Sequence, residues 1–164
     1  MPVSTVARRD RPLMSSPDPA KAQAARLAAS LVRHDMIVGL GTGSTAAIFI
    51  EYLGRRAIEE ALRIRGVPTS DASAELADKW GIPLAELDEV EAIDLTVDGA
   101  DEVDTAFRMT KGRGGALLRE KLVARASRRC VYIVGRDKIV DRLGSRCPLP
   151  IEVAPYGVAH TVRR

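Results

Sequence analysis

Apolar positions along this chain fall into two rhythms. From Lys21 to Val32 alanines and leucines recur every three or four positions, and Asp18-Pro19 just before them supplies an N-cap and a proline suited to a first helical turn, so a helix is predicted. The run Met36–Leu40 is short and continuously apolar, as a buried strand is, and it ends in Gly41-Thr42-Gly43-Ser44-Thr45. Helical spacing then returns from Ser44 to about Arg63, carried by Ile48, Ile50, Tyr52, Leu53, Ile58 and Leu62. A strand, a glycine turn and a helix follow one another directly.

The order repeats in looser form. Gly66–Pro68 predicts a strand, and Ser70 and Asp71 cap a helix over Ala72–Trp80. Pro83–Leu87 predicts a further short strand and Ala92–Val97 a clear one. Gly114 to about Arg128 reads as helix, Cys130–Val134 as a β-branched strand, Leu149–Val153 as another strand, and Tyr156 onward as the start of a helix. Strands alternating with helices predict βαβ units and a mainly parallel sheet, hence an α/β, Rossmann-like three-layer domain. Residues 1–17 show no period. Asp10 and the lack of an amphipathic stripe argue against a transit peptide, so a disordered tail is expected there. Residues 18–154 form the expected domain, and 155–164 begin a further α+β segment that reads as truncated.

Composition removes several function classes. With 164 residues the chain can bury one proper core but not two large ones. No apolar stretch is long enough to span a membrane. The net charge is only +3, and no Lys/Arg run interleaves with aromatics, so no nucleic-acid partner is expected. Cys130 and Cys147 belong to no CxxC pair and lie far in sequence from His34 and His160, so no metal site is expected; two small buried hydrophobes in a reducing cytoplasm is the reading.

Three motifs carry chemistry. In Gly39-Leu-Gly41-Thr42-Gly43-Ser44-Thr45 the glycines allow a tight strand-to-helix turn, and free amides with the hydroxyls of Thr42, Ser44 and Thr45 suit a phosphate. It is not a Walker loop, since no lysine precedes Ser44, and the third glycine of a dinucleotide fingerprint would fall at Ser44. Asp98-Gly99-Ala100-Asp101-Glu102 follows a predicted strand, where ligands of open parallel sheets bind, and two neighbouring carboxylates raise one another's pKa. Lys111-Gly112-Arg113-Gly114-Gly115 leads into the helix bearing Glu120. There Glu120 shares a stripe with Ala116, Leu117, Val123 and Ala124, opposite a basic stripe of Lys121, Arg125 and Arg128. A carboxylate among small apolar residues is either buried with a partner or used.

The strings VGLGTGSTA, TVDGADEVD, KGRGGALLREK, GRDKIVDRLG and LPIEV resemble ribose-5-phosphate isomerase type A, in that family's order and spacing, from about Lys21 to the end. The resemblance implies interconversion of ribose 5-phosphate and ribulose 5-phosphate in the cytoplasmic pentose phosphate pathway, with no cofactor and no metal, in a homo-oligomer (dimer or tetramer). It implies Glu120 as general base between C2 and C1, Asp98 with Asp101 as proton shuttles, and Lys111 at the enediolate oxygen. Thr42, Gly43, Ser44, Thr45, Gly99, Ala100, Gly112, Arg113 and Gly114 would contact substrate, with Lys138 and Lys21 near its phosphate. Two departures stand out: Arg113 replaces a usual glycine, its side chain expected to point to solvent, and most of the family's small C-terminal α+β segment is missing. The alternatives are a non-catalytic sugar-phosphate-binding module of the same fold, a catalytically impaired fragment, an amino-sugar-phosphate isomerase/deaminase or a CoA transferase.

Overall fold

Asp18 accepts a hydrogen bond from the Ala20 amide at 2.9 Å and Pro19 opens the first turn, so α1 runs Pro19–Ser30 in the computed structural model, which describes residues 18–164. The tail expected over residues 1–17 lies outside the described residues. After α1 come β1 (Ile37–Leu40), α2 (Ser44–Glu59), β2 (Arg65–Pro68), α3 (Asp71–Lys79) and β3 (Leu95–Asp98). They are followed by β4 (Glu102–Asp104), β5 (Met109–Thr110), α4 (Leu117–Arg125), β6 (Cys130–Tyr132), β7 (Ile139–Val140) and α5 (Val158–Val162). Among the described residues no helix is long and apolar enough to cross a membrane.

The main sheet has four strands in the order β2-β1-β3-β6, all parallel, as the βαβ alternation predicts. Strand pleating sends alternate side chains to opposite faces, and here the two faces have different jobs. Val38, Leu40, Leu95, Val97 and Ile133 point into the larger core, against Ala25, Ala28 and Ala29 of α1, Phe49 and Leu53 of α2, and Ala77 of α3. The alanines of α1 let it lie close along α2. Burying a side chain such as Phe49 or Leu53 contributes about 1.5–3 kcal/mol, an upper figure because unfolded chains are partly compact. On the other face a smaller cluster of Val67, Ile93 and Val123 seats α4. This is the three-layer arrangement expected.

Close packing of α4 depends on Gly39. A Cβ there would overlap the Thr96 hydroxyl and come within 2.9 Å of Val123 Cγ1, so glycine is what lets helix and sheet approach. The neighbouring Thr96 hydroxyl instead bonds Ser127 at 2.6 Å, which ties the end of α4 to β3.

Several elements differ from the sequence reading. Pro83–Leu87 makes only a single parallel bridge, Gly66 to Leu84, because the chain turns at once into a 3-10 segment, Leu87–Glu89, with the Glu89 carboxylate accepting from the Glu86 amide. Helix α4 starts at Leu117 rather than Gly114, since the glycine loop holds Gly112 and Gly115 at positive φ. Leu149–Val153 forms no strand among the described residues and is largely exposed, for an apolar alternation has no value without a neighbouring edge to bond. A second sheet, β5-β4-β7, was not legible: its strands are two or three residues long, too short for any period to register. Both cysteines are free and half-buried rather than fully buried, because β6 is the outermost strand of its sheet and Cys147 lies in a surface segment.

Gly39→Ala is expected to lower stability by about 1–3 kcal/mol through overpacking between β1, Thr96 and α4. Chemical denaturation would read it, and an unchanged midpoint would show that α4 can shift at no cost.

Candidate active site

Parallel pairing brings the carboxyl ends of β1 and β3 side by side, with Leu40 opposite Val97, and the chain reverses its direction of strand addition between them. In open α/β sheets ligands bind in that crevice. The glycine loop leaves β1 there, and Asp98 ends β3 there.

Asp98 is almost fully buried, at 2% exposure. Its Oδ1 accepts from the amides of Gly99 at 2.7 Å and Thr42 at 3.1 Å, and its Oδ2 lies 2.7 Å from Lys111 Nζ. Lys111 also donates to the Gly99 carbonyl at 2.7 Å and sits 3.4 Å from Glu120 Oε1. The ammonium thus hydrogen-bonds one carbonyl and forms ion pairs with two carboxylates. Glu120 Oε2 is buried with no hydrogen-bond partner among the described residues. Burial is the largest cause pushing the Glu120 carboxyl above its ordinary value; Asp98 and Asp101 push the same way, while Lys111 opposes them. The outcome is a carboxylate more basic than usual, next to a cation and short of one hydrogen bond.

These groups open onto a cleft of about 140 Å³ lined by Thr42–Thr45, Gly99–Asp101, Lys111–Gly114, Glu120 and Lys138. The structure therefore brings together nearly every site residue expected from sequence, with Asp98 directly beneath. Two larger cavities of about 390 Å³ flank the exposed Asp71–Arg119 ion pair, but they lack comparably buried charge among the described residues. No group of three or more His, Cys, Asp or Glu among the described residues could hold a metal ion.

Individual roles are sharpened by the geometry. Helix α2 begins after Gly43, which gives it no side-chain cap, so its first amides together with Ser44 and Thr45 form an anion-attracting end at the cleft. The Thr42 hydroxyl pairs with Thr69 Oγ1 at 2.7 Å and its amide serves Asp98, so Thr42 shapes the turn rather than adding a free donor. Lys21 does not line the cleft; its Cε lies beside Gly135, where the turn carrying Lys138 begins.

Arg113 is tolerated for a clear reason. In the loop only Gly112 and Gly115 have positive φ, at 102° and 77°, so position 113 accepts an L side chain without strain. Its amide still donates to Asp101 Oδ2 at 3.0 Å, while the exposed guanidinium turns to Cys147 Sγ at 3.4 Å.

Two acids of the DGADEVD string do other work, which the sequence reading missed. Glu102 and Asp104 are buried on one face of β4. Glu102 accepts from the amides of Arg146 at 2.6 Å and Cys147 at 2.9 Å, and from Gly144, and so fastens the 144–147 segment beside the glycine loop. Asp104 accepts from the amides of Ala106 and Arg108 and from Arg108 Nε at 2.7 Å, closing the β4–β5 turn. The spacing of two between these acids was the available signal. Burial raises the Glu102 carboxyl, but three backbone amides outweigh it and hold the group below its ordinary 4.5.

A group lowered in this way contributes stability above its unfolded value and loses it as the pH falls through the folded one. The melting temperature should therefore drop on acidification below about pH 4.5. Glu102→Gln should be less stable at neutral pH and show a shallower acid drop. An identical acid slope in both proteins would remove Glu102 as a contributor.

Residues 65–164 match the family described as ribose 5-phosphate isomerase A (phosphoriboisomerase A). A ribose-5-phosphate isomerase A of Caulobacter vibrioides is 55% identical over 146 residues, covering 89% of this chain and 63% of the relative. The structure of ribose 5-phosphate isomerase A from Methanocaldococcus jannaschii superposes with a TM-score of 0.86 at 42% identity, over 90% of this chain and 66% of that one. A D-ribose-5-phosphate isomerase in complex with phospho-erythronic acid gives a TM-score of 0.85 at 43% identity, over 88% of this chain and 63% of that one. The chain thus spans a little under two thirds of the length of the first curated relatives it matches. A parallel sheet with its charged cleft at the β1/β3 crevice and a family match over residues 65–164 agree: the chain belongs to the ribose 5-phosphate isomerase A family.

Proposed function

We propose that this chain carries an aldose–ketose isomerase site that interconverts D-ribose 5-phosphate and D-ribulose 5-phosphate through a cis-enediolate. The observation that carries the reading is the buried Glu120 carboxylate 3.4 Å from Lys111 Nζ at the wall of a polar cleft. A module that only binds a sugar phosphate has no need of a buried, more basic carboxylate beside a cation.

In this reading Glu120 takes the proton from C2 of the open-chain aldose. The electron pair of that C–H bond forms the C1–C2 double bond, and the carbonyl electrons move to O1, where Lys111 stabilises the charge. Lys111 is free to do so by giving up its longest contact, the one to Glu120 at 3.4 Å. Glu120 then returns the proton to C1 while Asp98 and Asp101 move protons among the oxygens. The proton ends one carbon away from where it began, and no redox partner is consumed. The uncapped start of α2, with Ser44 and Thr45, and Lys138 suit the phosphate, with Lys21 behind that turn. The relative bound to phospho-erythronic acid, a phosphorylated sugar acid, supports this ligand class.

Residues 18–154 are the domain that holds this site, and 155–164, with the exposed α5, begin a separate segment. The family resemblance carries a homo-oligomer. The two free thiols suit a reducing, cytoplasmic setting.

The test is ribulose 5-phosphate formation by the chain and by two variants. Glu120→Gln is expected to lose at least about 100-fold in kcat while ribose 5-phosphate still raises its melting temperature. Lys111→Met should lose about 100- to 1,000-fold, more in kcat than in KM. Equal turnover in the parent and Glu120→Gln would sink the assignment. A parent that binds ribose 5-phosphate without converting it would favour the binding-module reading.

A further inference from the structure

Lys111 and Glu120 form a partition with a cavity on each side. One is the polar cleft of about 140 Å³; the other is a groove of about 320 Å³ between α4 and β6, bounded by Met109, Leu117, Ala124, Cys130 and Tyr132. Both charged side chains line both spaces. Water could therefore reach the Glu120 carboxylate from two directions, yet the residue is only 7% exposed.

Tyr132 stands on the second side. It pairs with Asp98 in the β3–β6 register, and pleating sends it and Cys130 to the α4 face, away from Val131 and Ile133, which belong to the opposite core. The centre of its ring lies 5.9 Å from Lys111 Nζ, within range of a cation–π contact. The ammonium is thus surrounded by the Asp98 carboxylate, the Gly99 carbonyl, the Glu120 carboxylate and this ring.

We propose that Tyr132 is a positioning residue for this site: its ring holds the Lys111 ammonium against Asp98 and Glu120, and its bulk keeps groove water off the Glu120 carboxylate. The inference rests on Glu120 being the base and Lys111 the oxyanion partner. An aromatic face suits the task because it attracts a cation without taking one of its hydrogen bonds. The hydroxyl of Tyr132 is pushed up to about 12, first by burial and then by Cys130, Asp98 and Glu120, so the residue stays neutral beside the carboxylates.

The charged groups around Glu120 are Lys111, Asp98 and Asp101, with Lys138 across the cleft and Lys121 and Arg125 on the rim of the groove. Tyr132 and Cys130 face it from β6. Burial, the largest cause on Glu120, raises its carboxyl and Lys111 opposes it, so opening the groove lowers the pH at which the carboxyl titrates while freeing Lys111 acts the other way.

The titration can be followed directly by carbon-13 NMR of the full chain labelled at glutamate carboxyls, with Glu120→Gln identifying the resonance. Tyr132→Phe keeps the ring and is expected to titrate as the parent does. In Tyr132→Ala the larger cause, burial, is expected to dominate, so Glu120 should titrate at lower pH than in the parent, with a fall in kcat for ribulose 5-phosphate formation that exceeds any rise in KM. A folded Tyr132→Ala with parental kcat overturns the proposal, as does a shift of the Glu120 resonance in Tyr132→Phe equal to that in Tyr132→Ala. Should Tyr132→Ala fail to fold, Tyr132→Leu replaces it: apolar volume without a π face is expected to lower kcat at a near-parental melting temperature, and parental kcat overturns the proposal. Loss of turnover in Glu120→Gln with no effect at Tyr132 rejects the role of Tyr132 alone. Full turnover in Glu120→Gln overturns the base assignment and this inference together.

Discussion

Lys111 stands between two buried carboxylates, 2.7 Å from one and 3.4 Å from the other, and much of this domain serves to keep it there. Removing charges from water is expensive unless they are paired and their remaining protons and lone pairs are bonded. Asp98 meets that condition, with two backbone amides and the ammonium. Glu120 does not, since one of its oxygens has no hydrogen-bond partner among the described residues. The imbalance is local and directional: one cation satisfies the first carboxylate, while burial leaves the second more basic despite that cation.

The fold holds this triad through backbone features rather than through long side chains. Alternation along β3 and β6 puts Asp98 and Tyr132 on the face that α4 covers, and Gly39 lets α4 approach close enough for Glu120 to reach Lys111. The glycine loop supplies Lys111 from the other direction and is itself anchored, since the Arg113 amide bonds Asp101. Glu102 adds a second anchor by fastening the segment that carries Cys147, against which the Arg113 guanidinium rests. A run of acids that looks uniform in sequence is thus divided between chemistry and scaffolding. The division follows from which backbone amides lie within reach of each carboxylate.

Much of this was legible beforehand. The long helices α1 and α2 and the four parallel strands follow from spacing, caps and turn residues, because each is decided by contacts within a few residues or by a strongly apolar run. Glu120 was singled out by its stripe, and its burial beside Val123 follows from that stripe. The small sheet, the single bridge at Leu84 and the lack of a strand at Leu149–Val153 among the described residues were not legible. Strand pairing needs a partner edge, and a sequence window does not say whether an edge is available.

By itself, then, the sequence determined the alternation of strands and helices, the loops at their carboxyl ends and the inventory of chemical groups placed on them, since these depend on local periodicity and turn chemistry. Tertiary structure alone decided how those groups meet. It paired Lys111 with both Asp98 and Glu120, left Glu120 Oε2 without a partner among the described residues and diverted the Thr42 hydroxyl to Thr69. It also turned Arg113 toward Cys147 and set Tyr132 behind the ammonium. Each of those outcomes depends on distances between segments far apart in the chain. Such distances are set by sheet register and by the close approach of α4 at Gly39, neither of which any local pattern encodes.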